Sequence, residues 1–312
     1  MCSKDKLYWE VIIIKYWFGD CSDANILVIT DKKQYKEIKD VLSHLISKSI
    51  RYTLIDDKDF VTYEYENLTS KDLLIVALSI DSFVFKGHNK YFSPFSKPQN
   101  LLGKYVFIRL DITSKSLMEG LNTPLEDFEE VYNQYQSIPK NSRLCVKNKS
   151  GTDLEFKINE FKTCSHRIFA ESDKAFLPPS ELEAGIKLGT ANGKVVIDCT
   201  IGQINQYGKW LGMFGLIKEP VILKIKDSYV TDIIGNEELK KILFSLELEC
   251  RMLVEFGKGL SKMTPTGIIG IDESIIDTCH FGIGDGLGFG INNEASIHLD
   301  VVIHQPKVEI LN

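Results

Sequence analysis

The residues best equipped for chemistry are His280, His298 and Asp300, all within Asp272 to Ile303, DESIIDTCHFGIGDGLGFGINNEASIHLDVVI. His298 and Asp300 stand at i and i+2, so on a β-strand both side chains leave one face while Ile297, Leu299 and Val301 take the other. Thr278 to Phe281 also reads as a strand, and Gly282, Gly284, Gly286, Gly288 and Gly290 between the two arms let the backbone turn tightly. Two imidazoles and a carboxylate delivered in this way suit one metal ion. Taken alone, a His-x-Asp pair is more often a hydrogen-bonded surface pair, so further donors are needed to carry the reading. A nucleotide reading of the glycine run fails, because no amphipathic helix follows it.

Further carboxylates exist. Glu255 ends the apolar run Arg251 to Phe256, where burying a charge is costly unless something positive receives it. Glu181 follows the di-proline turn Pro178-Pro179, although an isolated glutamate there is more often exposed.

The elements that must position these groups divide into two halves. The 312 residues allow one large or two modest domains. Ile26–Ile29, Tyr52–Ile55, Leu73–Leu78 and Tyr105–Leu110 read as strands, alternating with helices over Lys32–Ser49, Ser114–Leu121 and Pro124–Gln136. That predicts an open, largely parallel α/β sheet domain over residues 1–140, with a boundary at the polar, proline-containing stretch Ser137 to Asn141. His44 and His88 fall in this half, where structural or solvent-exposed roles are expected.

Residues 141–312 read as a mostly antiparallel β domain that carries the metal site, an α+β arrangement. Strands are expected over Leu144–Val146, Leu154–Ile158, Lys194–Cys199, Val221–Ile225 and Ser228–Ile233, with Ala191-Asn192-Gly193 as a hairpin turn. One clear helix starts at the cap Asn236, with Glu237 and Glu238 in its first turn.

Composition narrows the function classes. A formal charge of −6, from 37 Lys+Arg against 43 Asp+Glu without a basic block, argues against nucleic acid. Cysteines at 2, 21, 145, 164, 199, 250 and 279 form no CxxC pair, which points to reduced thiols and a cytoplasmic protein. The apolar run Val11–Ile14 is too short to cross a membrane and is preceded by Asp5 and Glu10, so residues 4–18 are expected to form an amphipathic helix.

Five motifs in order carry a family likeness. Gly151-Thr152-Asp153-Leu154, Leu177-Pro178-Pro179-Ser180-Glu181, Glu255-Phe256-Gly257-Lys258-Gly259, Asp272-Glu273 with His280 to Asp285, and Asn293 to Asp300 resemble GTDL, LPxGE, ELGIG, DEK(x)nH-I-A-x-G-D and N-x-S-x-H-x-D. These are patterns of the aminopeptidase T/aminopeptidase S metallopeptidase family, and the resemblance spans about residues 140–303. It implies a cluster of Glu181, Glu255, His280, His298 and Asp300, commonly with one or two divalent ions such as zinc, cobalt or manganese. It also implies a peptide or small-molecule substrate and a homodimer.

Carboxylate oxygens and imidazoles suit such ions, and a paired site can activate water while a nearby glutamate moves the proton. Glu273 is the candidate proton carrier, with a structural hydrogen-bonding role weighed equally. One departure stands out: Leu287 occupies the position, seven residues after His280, where family aminopeptidases usually carry tyrosine. Three readings follow: a metal-dependent aminopeptidase-like hydrolase, an Fe(II) ring-cleaving dioxygenase of the 2,5-dihydroxypyridine type using His280, His298 and Asp300, or a non-catalytic or biosynthetic relative.

Overall fold

The computed structural model describes residues 24–45, 50–54, 67–79, 101–163 and 174–311. The expected helix over 4–18, the end of the helix over 46–49, the His88 loop and Cys2, Cys21 and Cys164 lie outside them.

In chain order the elements are β1 (Ile26–Thr30), α1 (Lys32–Leu45), β2 (Ile50–Leu54), β3 (Leu73–Ala77), β4 (Lys104–Ile108), α2 (Ser114–Leu121) and α3 (Leu125–Gln136). There follow β5 (Arg143–Lys147), β6 (Asp153–Thr163), β7 (Lys174–Leu177), β8 (Glu181–Ile186), β9 (Asn192–Ile197), β10 (Thr200–Ile201), β11 (Ile204–Gln206), β12 (Lys209–Gly212) and β13 (Gly215–Leu216). The chain closes with β14 (Val221–Lys226), β15 (Tyr229–Ile234), α4 (Glu237–Ser245), β16 (Leu253–Gly259), the single turn α5 (Ile269–Asp272), β17 (Thr278–Gly284), β18 (His298–His304) and β19 (Lys307–Leu311).

Two compact units emerge, Met1–Asn122 with Cys164–Pro179, and Thr123–Thr163 with Ser180–Asn312. Where the sequence predicts one break at 140, α3 belongs with the second unit and the 164–179 segment returns to the first. β7 explains that return, because it completes a parallel sheet of order β2-β1-β3-β4-β7. Parallel strands are covered on both faces and read as continuous apolar runs. Accordingly, every residue of β1 and β3 is buried. Leu27, Ile29, Leu74, Val76, Tyr105, Phe107 and Phe176 pack together there, Phe107 meeting Phe176 edge to face at 5.7 Å.

The second unit is an antiparallel sheet in the order β13-β10-β18-β17-β16-β8-β6-β9-β14-β15, with β5 joining β6 to β19. α4 forms as its sequence dictates: Asn236 caps it, its side chain accepting from Leu239 N at 2.9 Å, and Leu239 and Leu243 are buried. Asn192-Gly193 is not the expected hairpin turn, since both residues lie within β9. Gly193, at φ +132°, passes so close to the Asp153–Leu154 backbone that a side chain would collide with it. Gly257 likewise lies inside β16 and does not end it, and Gly282 and Gly284 belong to β17.

Alternation along the central strands sorts the two faces. Phe256 and Phe281 join Phe156 on one side, with ring centroids 5.2 to 6.0 Å apart. Their neighbours Glu255, Gly257, His280 and Gly282 therefore face the other way. Cys145, Cys199, Cys250 and Cys279 are buried and unbridged, as packing cysteines are. No described helix is long and apolar enough to cross a membrane.

Candidate metal centre

Four adjacent strands deliver the donors. Antiparallel pairing sets Gly259 of β16 opposite Glu181 of β8, Glu255 of β16 opposite Gly282 of β17, and Gly282 in turn opposite Asp300 of β18. His280 lies across from Gly257, and His298 from Gly284. Glycine opposite each donor leaves room for the side chains to lean together. A methyl on Gly257 would run into the His280 ring, and one on Gly282 would meet both Glu255 and His298 Cε1.

The contacts are close. His280 Nε2 lies 3.2 Å from Glu255 Oε1 and 3.6 Å from Glu181 Oε2. His298 Nε2 lies 3.0 Å from both Glu255 Oε2 and Asp300 Oδ1. The structure thus brings together all five expected ligands. Glu273 joins them, so the residue expected to carry a proton is also a potential ligand. Their donor atoms fall into two groups, Glu181, Glu273 and His280, and Glu255, His298 and Asp300, each within 4.8 Å mutually. Glu255 touches both histidines and links the groups.

Burial differs between them. Glu181, Glu255, Glu273 and His280 are all buried, whereas the His298 and Asp300 side chains keep 29% and 20% of their exposure and form the solvent edge.

Electrostatics give a test of fit. Burial alone would lower the pKa of His280, yet its hydrogen bond to Glu255 and the charges of Glu181, Glu255 and Glu273 push it up to about 10. His298 is likewise raised against the effect of burial, by Asp300 and Glu255. Burial would raise Glu255, and the two histidines instead hold it below its ordinary value. The pocket draws protons onto its imidazoles because four carboxylates there demand positive charge. His280 Nδ1 is buried with no hydrogen-bond partner among the described residues, so protons do not satisfy this cluster well. Divalent ions with a preference for oxygen and imidazole fit it.

Surrounding residues fix the donors. His298 Nδ1 faces Asp285 O at 2.8 Å, which directs Nε2 inward, and Phe289 stacks on the ring at 5.3 Å. Asn293 ties the glycine loop, donating to Gly284 O at 2.6 Å and Glu249 O at 3.0 Å. Asp272, fully buried, accepts from Thr266 N, Gly267 N and Thr200 Oγ1 at 2.7, 2.7 and 2.5 Å and so anchors the turn bearing Glu273. The sequence marks Asp285 only as the end of the His280 to Asp285 motif and Phe289 not at all, because their contacts with His298 come from loop closure. Leu287 is half exposed on that loop.

No protein-family model and no curated protein sequence matches the chain. Solved structures do. The 2,5-dihydroxypyridine dioxygenase from Pseudomonas putida KT2440 aligns with TM-score 0.61 and 12% identity, covering 99% of this chain and 94% of that one. Wild-type AmpT from Thermus thermophilus aligns with TM-score 0.56 and 12% identity, covering 99% and 96%. At such identity the likeness establishes the fold, which this chain shares with two enzymes of different chemistry.

Proposed function

We propose that this protein is a metal-dependent hydrolase that cleaves an amide bond, most simply releasing the N-terminal residue of a short peptide. The observation that carries this reading is the pair of donor groups joined by Glu255. Six donors in two linked groups suit two divalent ions, zinc, cobalt or manganese, held by Glu181, Glu273 and His280 on one side and His298 and Asp300 on the other, with Glu255 between them. Bound there, such ions would polarise a carbonyl and acidify water.

The protein's own groups do the rest. The exposed edge at His298 and Asp300 is where a substrate arrives. Glu273, at the buried end, is the group we assign to moving the proton, a role compatible with ligation through its other oxygen.

The second reading is an Fe(II) ring-cleaving dioxygenase. Leu287 in place of the expected tyrosine and the likeness to the Pseudomonas enzyme favour it. Against it, His280 falls in a different donor group from His298 and Asp300, so these three do not by themselves make one facial triad. The test is to load the purified protein with zinc, cobalt, manganese or ferrous ion, then assay aminoacyl amides and, separately, oxygen uptake with 2,5-dihydroxypyridine. Hydrolysis without oxygen uptake, abolished by Glu255→Ala as fully as by His280→Ala, is expected. Ferrous-only oxygen consumption that survives Glu255→Ala would overturn the hydrolase reading.

A further inference from the structure

Ser180 precedes the first donor and is completely buried. Its Oγ donates to Glu181 Oε1 at 2.9 Å, and the other oxygen, Oε2, is the one near His280 Nε2, at 3.6 Å. The main chain holds this arrangement in place. Leu260 N, just beyond β16, donates to both Ser180 O at 3.1 Å and Ser274 O at 2.9 Å, and Ser261 N donates to Ser274 O at 2.8 Å. One clasp therefore fixes the residues next to both Glu181 and Glu273.

Resting on the metal reading above, we infer that Ser180 is a positioning residue that commits Glu181 to the inner donor group through one oxygen, Oε2. A carboxylate whose Oε1 is held by a hydroxyl cannot swing to present both oxygens equally to one ion. Its partner Glu255 is built oppositely, one oxygen toward each histidine. The two ion positions are consequently unequal. With Glu181 held to one oxygen and His280 giving one nitrogen, the inner position suits zinc or cobalt, ions content with low coordination, over manganese, which prefers six oxygens.

The experiment is a titration of the full chain with cobalt(II) alone, followed by visible d–d absorption and calorimetry. Parent, Ser180→Ala and Ser180→Gly are compared, neither variant adding an atom to the buried site. Asp300→Ala identifies the outer event by its loss. We expect two events in the parent. In both serine variants the inner event should weaken 10- to 100-fold, the cost typical of losing a partner that orients a ligand. The intense low-coordinate band should also fall, with the outer event and the metal-free melting temperature unchanged. Superimposable titrations, or both events weakening together with a lower melting temperature, would overturn the inference while leaving the centre standing. A parent that takes up no cobalt would overturn the centre itself and this inference with it.

Discussion

Gly257→Ala removes no donor atom, so it separates the shape of the centre from its chemistry. A Cβ at this position would lie 2.7 Å from His280 Nδ1 and nearer still to Cε1 and Nε2, because the imidazole lies across the glycine. Carbon contacts are comfortable from about 3.5 Å and the nearest ring atom, Cε1, would lie 1.9 Å away, so the ring must retreat by about 1.6 Å. Metal–ligand distances tolerate only about 0.2 Å. The strand cannot absorb the difference, since Gly257 is paired with Glu183 on one side and His280 on the other. His280 is thereby lost as a donor, and affinity at the inner position should fall by roughly 100-fold or more, about 2.8 kcal/mol. Calorimetric zinc titration with elemental analysis reads this, with Gly288→Ala as the control because a methyl there meets nothing within 4 Å. Parent-like zinc binding by a folded Gly257→Ala would refute the claim that glycine at this position makes room for the ligand.

Removing outer donors should show directly in metal content: His298→Ala and Asp300→Ala are expected to purify with less divalent metal per chain than the parent, and equal content would mean the centre is misplaced. A third expectation concerns Lys258, which burial lowers to about 8 although its ammonium reaches the carbonyls of Ile276 and Thr278. With the folded value below the unfolded one near 10.4, the folded state is penalised below pH 8 and relieved as pH rises to about 10, a gain of up to ~3 kcal/mol. Urea midpoints at pH 7.5 and 10 should therefore differ in the parent relative to Lys258→Met, which lacks the titrating group; identical shifts would exclude this cause. Asp272→Ala leaves four donors, Thr266 N, Thr266 Oγ1, Gly267 N and Thr200 Oγ1, without their acceptor, so a loss of about 3 kcal/mol and weakened inner-site metal binding are expected, the first read by urea melts and the second by titration. Finally, the homodimer implied by the family likeness predicts a dimer in sedimentation at micromolar concentration.

Much of this was legible because it is written in short-range pattern. Apolar runs located β1, β3 and β4, the Asn236 cap located α4, and the i, i+2 spacing of His298 and Asp300 put both at one edge of the centre. What escaped depends on distant pairing. β7 is not among the strands expected from the sequence, because its reason for being a strand is the β4 edge it joins, far away in sequence. Asn192-Gly193 carries hairpin chemistry, yet glycine is required there by the backbone passing opposite, a constraint no local signal announces. The same holds for Gly257 and Gly282, whose bareness is a space reserved for side chains on neighbouring strands. Glu273 could be picked out as a useful acid, but its membership of the inner donor group depends on the turn that Asp272 anchors.

Alternation along β16 has a further consequence for how such a centre can be inherited. Glu255 and Gly257 serve the metal side while Phe256, between them, holds the aromatic stack, so the two demands share one reading frame. Inserting a single residue between Glu255 and Gly257 would put these two on opposite faces, so that either the carboxylate turns toward the phenylalanines or Gly257 no longer makes room for His280. Descendants of this sheet can therefore lose the chemistry by point substitution and keep the fold, but length variation has to be confined to connections such as 260–268, outside the strand itself.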